Sequence, residues 1–493
     1  MADIGASPSV GTIARRCVRH DTVLCNAEGD FWGAGLRVVG ERRGGAVRRS
    51  GRWPFALWLL AAAGMLPGAA AADDNSLAPS AAAAPAPEDW SLHFQLTGIY
   101  QGDFGFPSSV QGPNSLSGDQ QWRETISGTA YIGRRLPWSG GELYFDPEFN
   151  QGFGLSRSHG VAGFPNGEAV KAGFNTPKPN VARLFLRQTF GLGGDQEVIA
   201  PDENQLGKTV DISRLTITAG KFAVTDIFDD NSYAHDPRTD FLNLSINNSA
   251  AWDAPADAKG YTDGVAVELN ERDWAFRWGA LLQPKVANDR DLEPRFWKTF
   301  GLVAEVERRY RLWGEPGKLR VLGFLNRAPM ANLEEAAALG GNLEAARSPR
   351  YKGGFALNGE QALTDTLGVF GRFSMNDGQT ETWAFTDVDR STVLGASLKG
   401  TSWGRPQDTL ALAAAVNELS KPHRDFFTVG GLGIFVGDGQ LAYAPETIVE
   451  TYYKLQIVDA VGLTFDYQFV ANPAYNRARG PVSILAARLH FEL

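Results

Sequence analysis

Between positions 141 and 149 four polar side chains fall on one face of an alternating run, with Glu142, Tyr144, Asp146 and Glu148 set against Leu143, Phe145, Pro147 and Phe149. Three carboxylates side by side repel one another and resist burial, so this face needs water, counterions or opposing cations. Residues 181–190 are suited to supply the cations, because Arg183 and Arg187 share a face with Phe185 and Thr189, opposite Ala182, Leu184, Leu186, Gln188 and Phe190. Acidic and basic rows facing each other across a polar space would orient passing polar solutes. Ordinary ion pairs on two solvated sheet faces fit the pattern equally, and both readings stand open. Tyr144 adds an aromatic surface of the kind on which sugar rings stack.

A second cluster lies at 226–240, where Asp226, Asp229, Asp230, Asp236 and Asp240 surround His235. Aspartate oxygens suit a hard divalent ion such as calcium, magnesium or manganese. The spacing is not that of an EF-hand, and one histidine among acids is no zinc signature, so a solvated or inward-folded loop is the blander reading. Carboxylate pairs are also the raw material of glycoside hydrolysis, but position along a chain does not place two of them about one bond. No glycine-rich phosphate cradle is present, since residues 430–433 lack the strand–turn–helix context that such a loop needs.

The elements that must hold these groups are strands. In residues 450–493 Thr451, Tyr453, Leu455 and Ile457 alternate with Glu450, Tyr452, Lys454 and Gln456. Leu463, Phe465, Tyr467 and Phe469 then oppose Thr464, Asp466 and Gln468, and Leu485, Ala487, Leu489, Phe491 and Leu493 oppose Ile484, Ala486, Arg488, His490 and Glu492. A period of two is the strand period. One face is apolar and aromatic while the other carries charge, so the strands divide an apolar medium from a polar one. Further strands are expected at 94–101, 125–133, 214–222, 265–269, 274–280, 302–310, 319–326, 355–361, 367–374, 392–399 and 410–417. Residues 331–346, rich in Ala, Leu and Glu, read as a loop with one short helix.

A soluble sandwich would show the same alternation, and the N-terminus shifts the balance. Arg42, Arg43, Arg48, Arg49 and Arg52 precede an apolar run at 53–66, and Ala69 to Ala72 follow as small residues. That order reads as a secretory signal over 41–72, with an uncleaved membrane helix as the rival. Residues 1–40 form an unexplained extension, consistent with a start assigned too early, and 73–89 form an acidic Ala/Pro linker. Both cysteines, Cys17 and Cys25, precede the expected cleavage point, so the mature chain needs no disulfide. The formal charge is -9. Removing the first 72 residues, which hold nine Arg/Lys and five Asp/Glu, makes it -13. This is a poor platform for a nucleic-acid backbone.

Export and many amphipathic strands together predict an all-β fold, a transmembrane antiparallel β-barrel at 90–493. Closure is required because an open edge in lipid leaves backbone groups unpaired. Sixteen strands fit the length at roughly 26 residues per strand and connection, and eighteen fit nearly as well.

Several stretches resemble the OprB family of carbohydrate-selective porins: GELYFDPEFNQGFGLS at 141–156, GVAGFPNGEA at 160–169, AGKFAVTDIFDDNSYAHDPRTDF at 219–241, PETIVETYYKLQI at 445–457 and LTFDYQFVANP at 463–473. The resemblance implies a passive, water-filled channel in the bacterial outer membrane for sugars and other small polar solutes, of 16 strands and forming a homotrimer. It implies no catalysis and no cofactor, and a structural calcium ion is an open possibility. Family breadth also admits manganese as cargo, and an exported glycan-binding protein or enzyme is the rival from another class. On this reading Glu142, Tyr144, Asp146, Glu148, Arg183 and Arg187 face the lumen. The chain departs from the usual terminal aromatic, ending Phe491, Glu492, Leu493.

Overall fold

The computed structural model describes residues 87–493. The expected extension, signal and most of the linker lie outside them. The strands in chain order are Trp90–Asp103 (β1), Gln121–Arg135 (β2), Gly141–Gly152 (β3), Phe174–Gly191 (β4), Gln196–Ile199 (β5), Lys208–Asp211 (β6), Arg214–Phe222 (β7), Thr262–Asn270 (β8) and Trp274–Leu281 (β9). They continue with Phe300–Leu312 (β10), Glu315–Ala331 (β11), Arg347–Ala362 (β12), Leu367–Asn376 (β13), Arg390–Gly400 (β14), Arg405–Glu418 (β15), Glu446–Val458 (β16), Val461–Ala471 (β17) and Val482–Glu492 (β18). All except β5 and β6 pair with their sequence neighbours in one closed antiparallel barrel of 16 strands, as expected. β1 meets β18 at the seam, in register from Gln95 opposite Glu492 to Asp103 opposite Ile484.

Alternation sets the two faces. Leu319, Val321 and Leu325 of β11 point outward, as do Phe465 and Tyr467 of β17 and Leu394 of β14, which is 69% exposed. Between them Arg320, Asn326 and Asp466 point inward and are buried. Exposed Trp90, Trp138 and Trp313 lie at the short-turn end, on opposite sides of the barrel, with Trp297 and Tyr351 near the other end, where a barrel meets the two membrane interfaces. The two-residue turn between β10 and β11 uses Trp313 and Gly314 at φ 55° and 89°, the positive pair that joins two twisted strands without splaying them.

Three features differ from the sequence reading. Ala182 was expected on the outward face but is fully buried. Asp146 pairs with Arg183 whereas Pro147 pairs with Val181, so Ala182 is an extra residue in a bulge; a proline, which has no N–H for the ladder, is the natural partner of such a break. Residues 331–346 hold two short helices, Leu333–Ala338 and Leu343–Ala346. The hairpin of β5 and β6, which forms a sheet of its own between β4 and β7, was not anticipated.

The long connections fold into the barrel. Residues 223–261 bring Phe228, Phe241, Ile246 and Trp252 against inward apolar groups of the wall, among them Val303, Leu322, Ile448 and Ile484. The core therefore sits inside the cylinder, between wall and loop.

Candidate solute path

Two insertions enter from opposite ends. Residues 223–261 come from the long-loop end, and 200–208, carried by β5 and β6, come from the short-turn end. Between them and the inward faces of β4, β7, β8 and β9 lies a cavity of about 620 Å³.

Arg183 joins the insertions. Its Nε and Nη2 donate to the two carboxylate oxygens of Asp226 at 2.6 Å each, and its Nη1 donates to Asp146 Oδ2 at 3.3 Å. Asp146 Oδ2 also accepts from Asn204 Nδ2 at 2.9 Å. A two-pronged guanidinium–carboxylate pair fixes both charge and orientation. Burial alone would push the Asp226 carboxyl up, but Arg183 more than offsets this and holds it below the usual range. Arg187 donates to Asn204 O at 2.8 Å and lies over the Tyr144 ring at 5.0 Å.

Of the six lumen candidates, only Arg183 and Arg187 line the cavity. Glu142, Tyr144, Asp146 and Glu148 point inward but are covered. Glu142 receives Lys208 Nζ at 2.5 Å and the Tyr144 hydroxyl at 3.0 Å. Tyr144, at 0% exposure, takes Leu206 N–H on its hydroxyl oxygen at 3.2 Å and stacks on Phe185 at 5.0 Å. Glu148 accepts from the Tyr261 hydroxyl at 2.8 Å. The sugar-stacking surface expected of Tyr144 is thus occupied by the chain itself. Residues 200–208 are further tied to the approach to β1, since Glu88 N–H donates to Gly207 O at 3.0 Å and Gly207 N–H to Glu88 Oε2 at 2.8 Å.

The five loop aspartates do not converge on one point. Asp229 accepts from Ser249 N–H and hydroxyl at 2.6 and 2.9 Å and faces Arg372 at 3.5 Å. Asp230 pairs with Arg320 at 2.9 Å, which overcomes the effect of burial and holds its carboxyl down. Asp236 pairs with Arg238 at 2.9 Å and is held low in the same way, against its burial. Asp240 accepts backbone N–H groups of His235 and Asp236, yet burial still pushes its carboxyl up. Among the described residues no group of three or more His, Cys, Asp or Glu is placed to hold a metal ion. Asp226, Asp230 and Asp236 reach the cavity, whereas Asp229 and Asp240 do not.

Groups that were not singled out complete the site. Glu168, Lys171, Glu203, Asn204, Arg238 and Tyr261 line it. Arg277 of β9 lies between Glu268 of β8 and Glu305 of β10 in register, at 2.6 and 2.8 Å, and reaches Glu307 at 3.2 Å. Alternation puts each of these wall charges inward, but only strand register shows that they meet. Among the described residues lining the cavity, Arg187 and Lys259 lack a carboxylate partner, and Asp202 and Glu203 lack a cation. The remaining charges are paired, and the two unpaired sets balance.

The model of a family described as carbohydrate-selective porins, OprB family, matches residues 114–493. The chain is 23% identical to Porin AaxA of Chlamydia abortus over 280 residues, 56% of this chain and 54% of that protein. Its identity to Porin AaxA of Chlamydia felis is 21% over 280 residues, with the same shares covered. The alignments thus span about half the length of these relatives. In fold the chain is similar to Pseudomonas putida OprB in a structure at high pH, with a TM-score of 0.62 and 15% identity, covering 82% of this chain and 94% of that one.

Proposed function

Because the chain belongs to the OprB family of carbohydrate-selective porins, we propose that it is a passive route across the outer membrane for saccharides and similar small polar solutes. The observation that carries this reading is the balance of charge around the cavity. Paired and fixed charges present many hydrogen-bond donors and acceptors while leaving little net field. A hydroxyl-rich neutral solute exchanges its water for such groups on entry, and no covalent step is needed. The unpaired Arg187 and Lys259 offset the unpaired Asp202 and Glu203, so the cavity carries no excess of acid to favour a divalent cation such as manganese as the main cargo. A hydrolytic role would need a carboxyl free to carry a proton beside a carboxylate base, and the cavity's acids are mostly committed to guanidinium or ammonium partners. The family resemblance adds a homotrimer as the expected assembly, which the mass of the detergent-extracted protein reads directly.

The test is uptake into liposomes containing the purified protein, with mono-, di- and trisaccharides against sodium and manganese chloride. Saccharide influx that falls with size, and weak preference between cations and anions, is expected. Uptake equal to that of empty liposomes for every sugar rejects the proposal.

A further inference from the structure

Resting on that reading, we infer that Glu168, together with Phe385 and Phe435, forms a saccharide subsite in the cavity that selects pyranose rings over open-chain polyols. The side chain of Glu168 is 2% exposed, and neither of its carboxylate oxygens accepts a hydrogen bond. Its charge is met by neighbouring cations, but with no hydrogen bond formed to either oxygen both keep acceptor capacity for a donor that enters with the solute or with water. The residue is held firmly: it sits in the short turn Gly167–Lys171, with Asn166 Oδ1 accepting the Glu168 and Ala169 N–H groups at 3.0 and 3.2 Å and Gly167 N–H donating to Leu242 O at 2.9 Å. Lys171 Nζ stands 3.3 Å from Glu168 Oε1 and Arg238 Nε 3.9 Å from it. Burial lowers the Lys171 ammonium, but Glu168 and Glu148 outweigh this and keep it charged. Two cations beside the carboxylate repel a metal ion while leaving the oxygens as acceptors for hydroxyl groups.

Phe435 and Phe385 supply the complementary surface. Both line the same cavity, from residues 419–445 and 377–389, and neither is fully buried. Buried Phe164 connects them, edge-on to Phe435 at 4.7 Å and tilted against Phe385 at 6.2 Å. With Phe164 between them, the rings form an apolar patch in the same cavity as Glu168. A pyranose has the matching pair of properties, a C–H face for the aromatic patch and equatorial hydroxyls for the carboxylate. An open-chain polyol has the hydroxyls without the fixed face.

The test is block of single-channel current by glucose, maltose and sorbitol, using the full chain recovered from outer membranes and verified as folded by heat-modifiable migration. Wild type is expected to bind glucose and maltose more tightly than sorbitol. Glu168→Gln and Phe435→Leu, in different loops, are each expected to raise the half-blocking sugar concentration roughly fivefold or more, the equivalent of one lost contact. Glu168→Asp should restore part of the loss. Sugar block that neither variant alters overturns the subsite while leaving the proposed function standing. Equal block by glucose and sorbitol overturns it too, and absence of both block and sugar uptake in wild type overturns both readings.

Discussion

The two sides of the lumen use similar charges for different ends. Around β12, β13, β16 and β18 the inward side chains terminate on loop backbone. Arg372 donates to Ile246 O and Ala234 O at 2.8 Å each. Glu360 accepts from the Ser232 N–H and hydroxyl at 2.8 Å each, and Glu450 from Leu242 and Asn243 N–H at 2.5 and 3.0 Å. Arg488 reaches the carbonyls of Pro237, Thr239 and Asp240 at 2.7 to 3.0 Å. Around β4, β7, β8 and β9, by contrast, wall charges end on other side chains or border the cavity. A loop without much regular structure cannot bury its backbone unless its N–H and C=O groups find partners, and the first set of wall residues provides them. Inward charge in a barrel is therefore of two kinds, one that holds a plug and one that shapes a path.

The sharpest way to break this distinction is Arg372→Leu. It leaves three loop carbonyls, those of Ile246, Ala234 and Asp229, without this donor and the Asp229 carboxylate facing an apolar side chain, so a loss of about 3–5 kcal/mol is expected, together with larger single-channel conductance as the loop loosens. A lowered urea midpoint with unchanged conductance would mean that the plug does not depend on this clamp. Arg183→Gln, on the path side, retains an amide donor and should cost less, about 1.5–3 kcal/mol. It leaves Asp146 and Asp226 without their cation, so the reversal potential in a salt gradient should move toward cation preference; no movement would place Arg183 among the structural charges.

The pH dependence separates the two kinds further. Burial pushes the Glu203 carboxyl up to about 7, with Arg238 opposing the shift. Between the ordinary glutamate value and about 7 the folded chain keeps a proton that the unfolded chain has lost, so its contribution to stability falls as pH rises across that window. Cation preference should grow over the same interval near pH 7, and Glu203→Gln should flatten it. The smallest effect is expected from Tyr144→Phe. It loses one hydroxyl between Leu206 and Glu142, worth about 1 kcal/mol, and should leave sugar uptake unchanged because the ring is sealed from the cavity. A marked fall in uptake would return Tyr144 to the solute path.

The barrel was legible because alternation is a local property: 141–149, 214–222 and 450–457 carry their two faces in their own residue order. The site was legible only in part. The same alternation correctly turns Glu142, Asp146 and Glu148 inward, but it says nothing of what stands opposite them. Lys208, Asn204 and Tyr261 come from segments with no strand pattern of their own in the sequence or, for β6, too short a one to notice. The aspartates at 226–240 read as a cluster because they are close in the chain. Arg372 and Arg320, which face Asp229 and Asp230, lie far along it, and their meeting follows from barrel closure rather than from spacing.

Arg183 also links the ends of the molecule thermodynamically. Its guanidinium is shared between Asp226, from the long-loop side, and Asp146, which holds Asn204 of the short-turn insertion. A solute that draws Asp226 away leaves the guanidinium to Asp146 alone and so alters the footing of Asn204. By reciprocity, displacement of Asn204 changes the affinity for that solute by the same factor. One guanidinium is therefore the footing that the two insertions share.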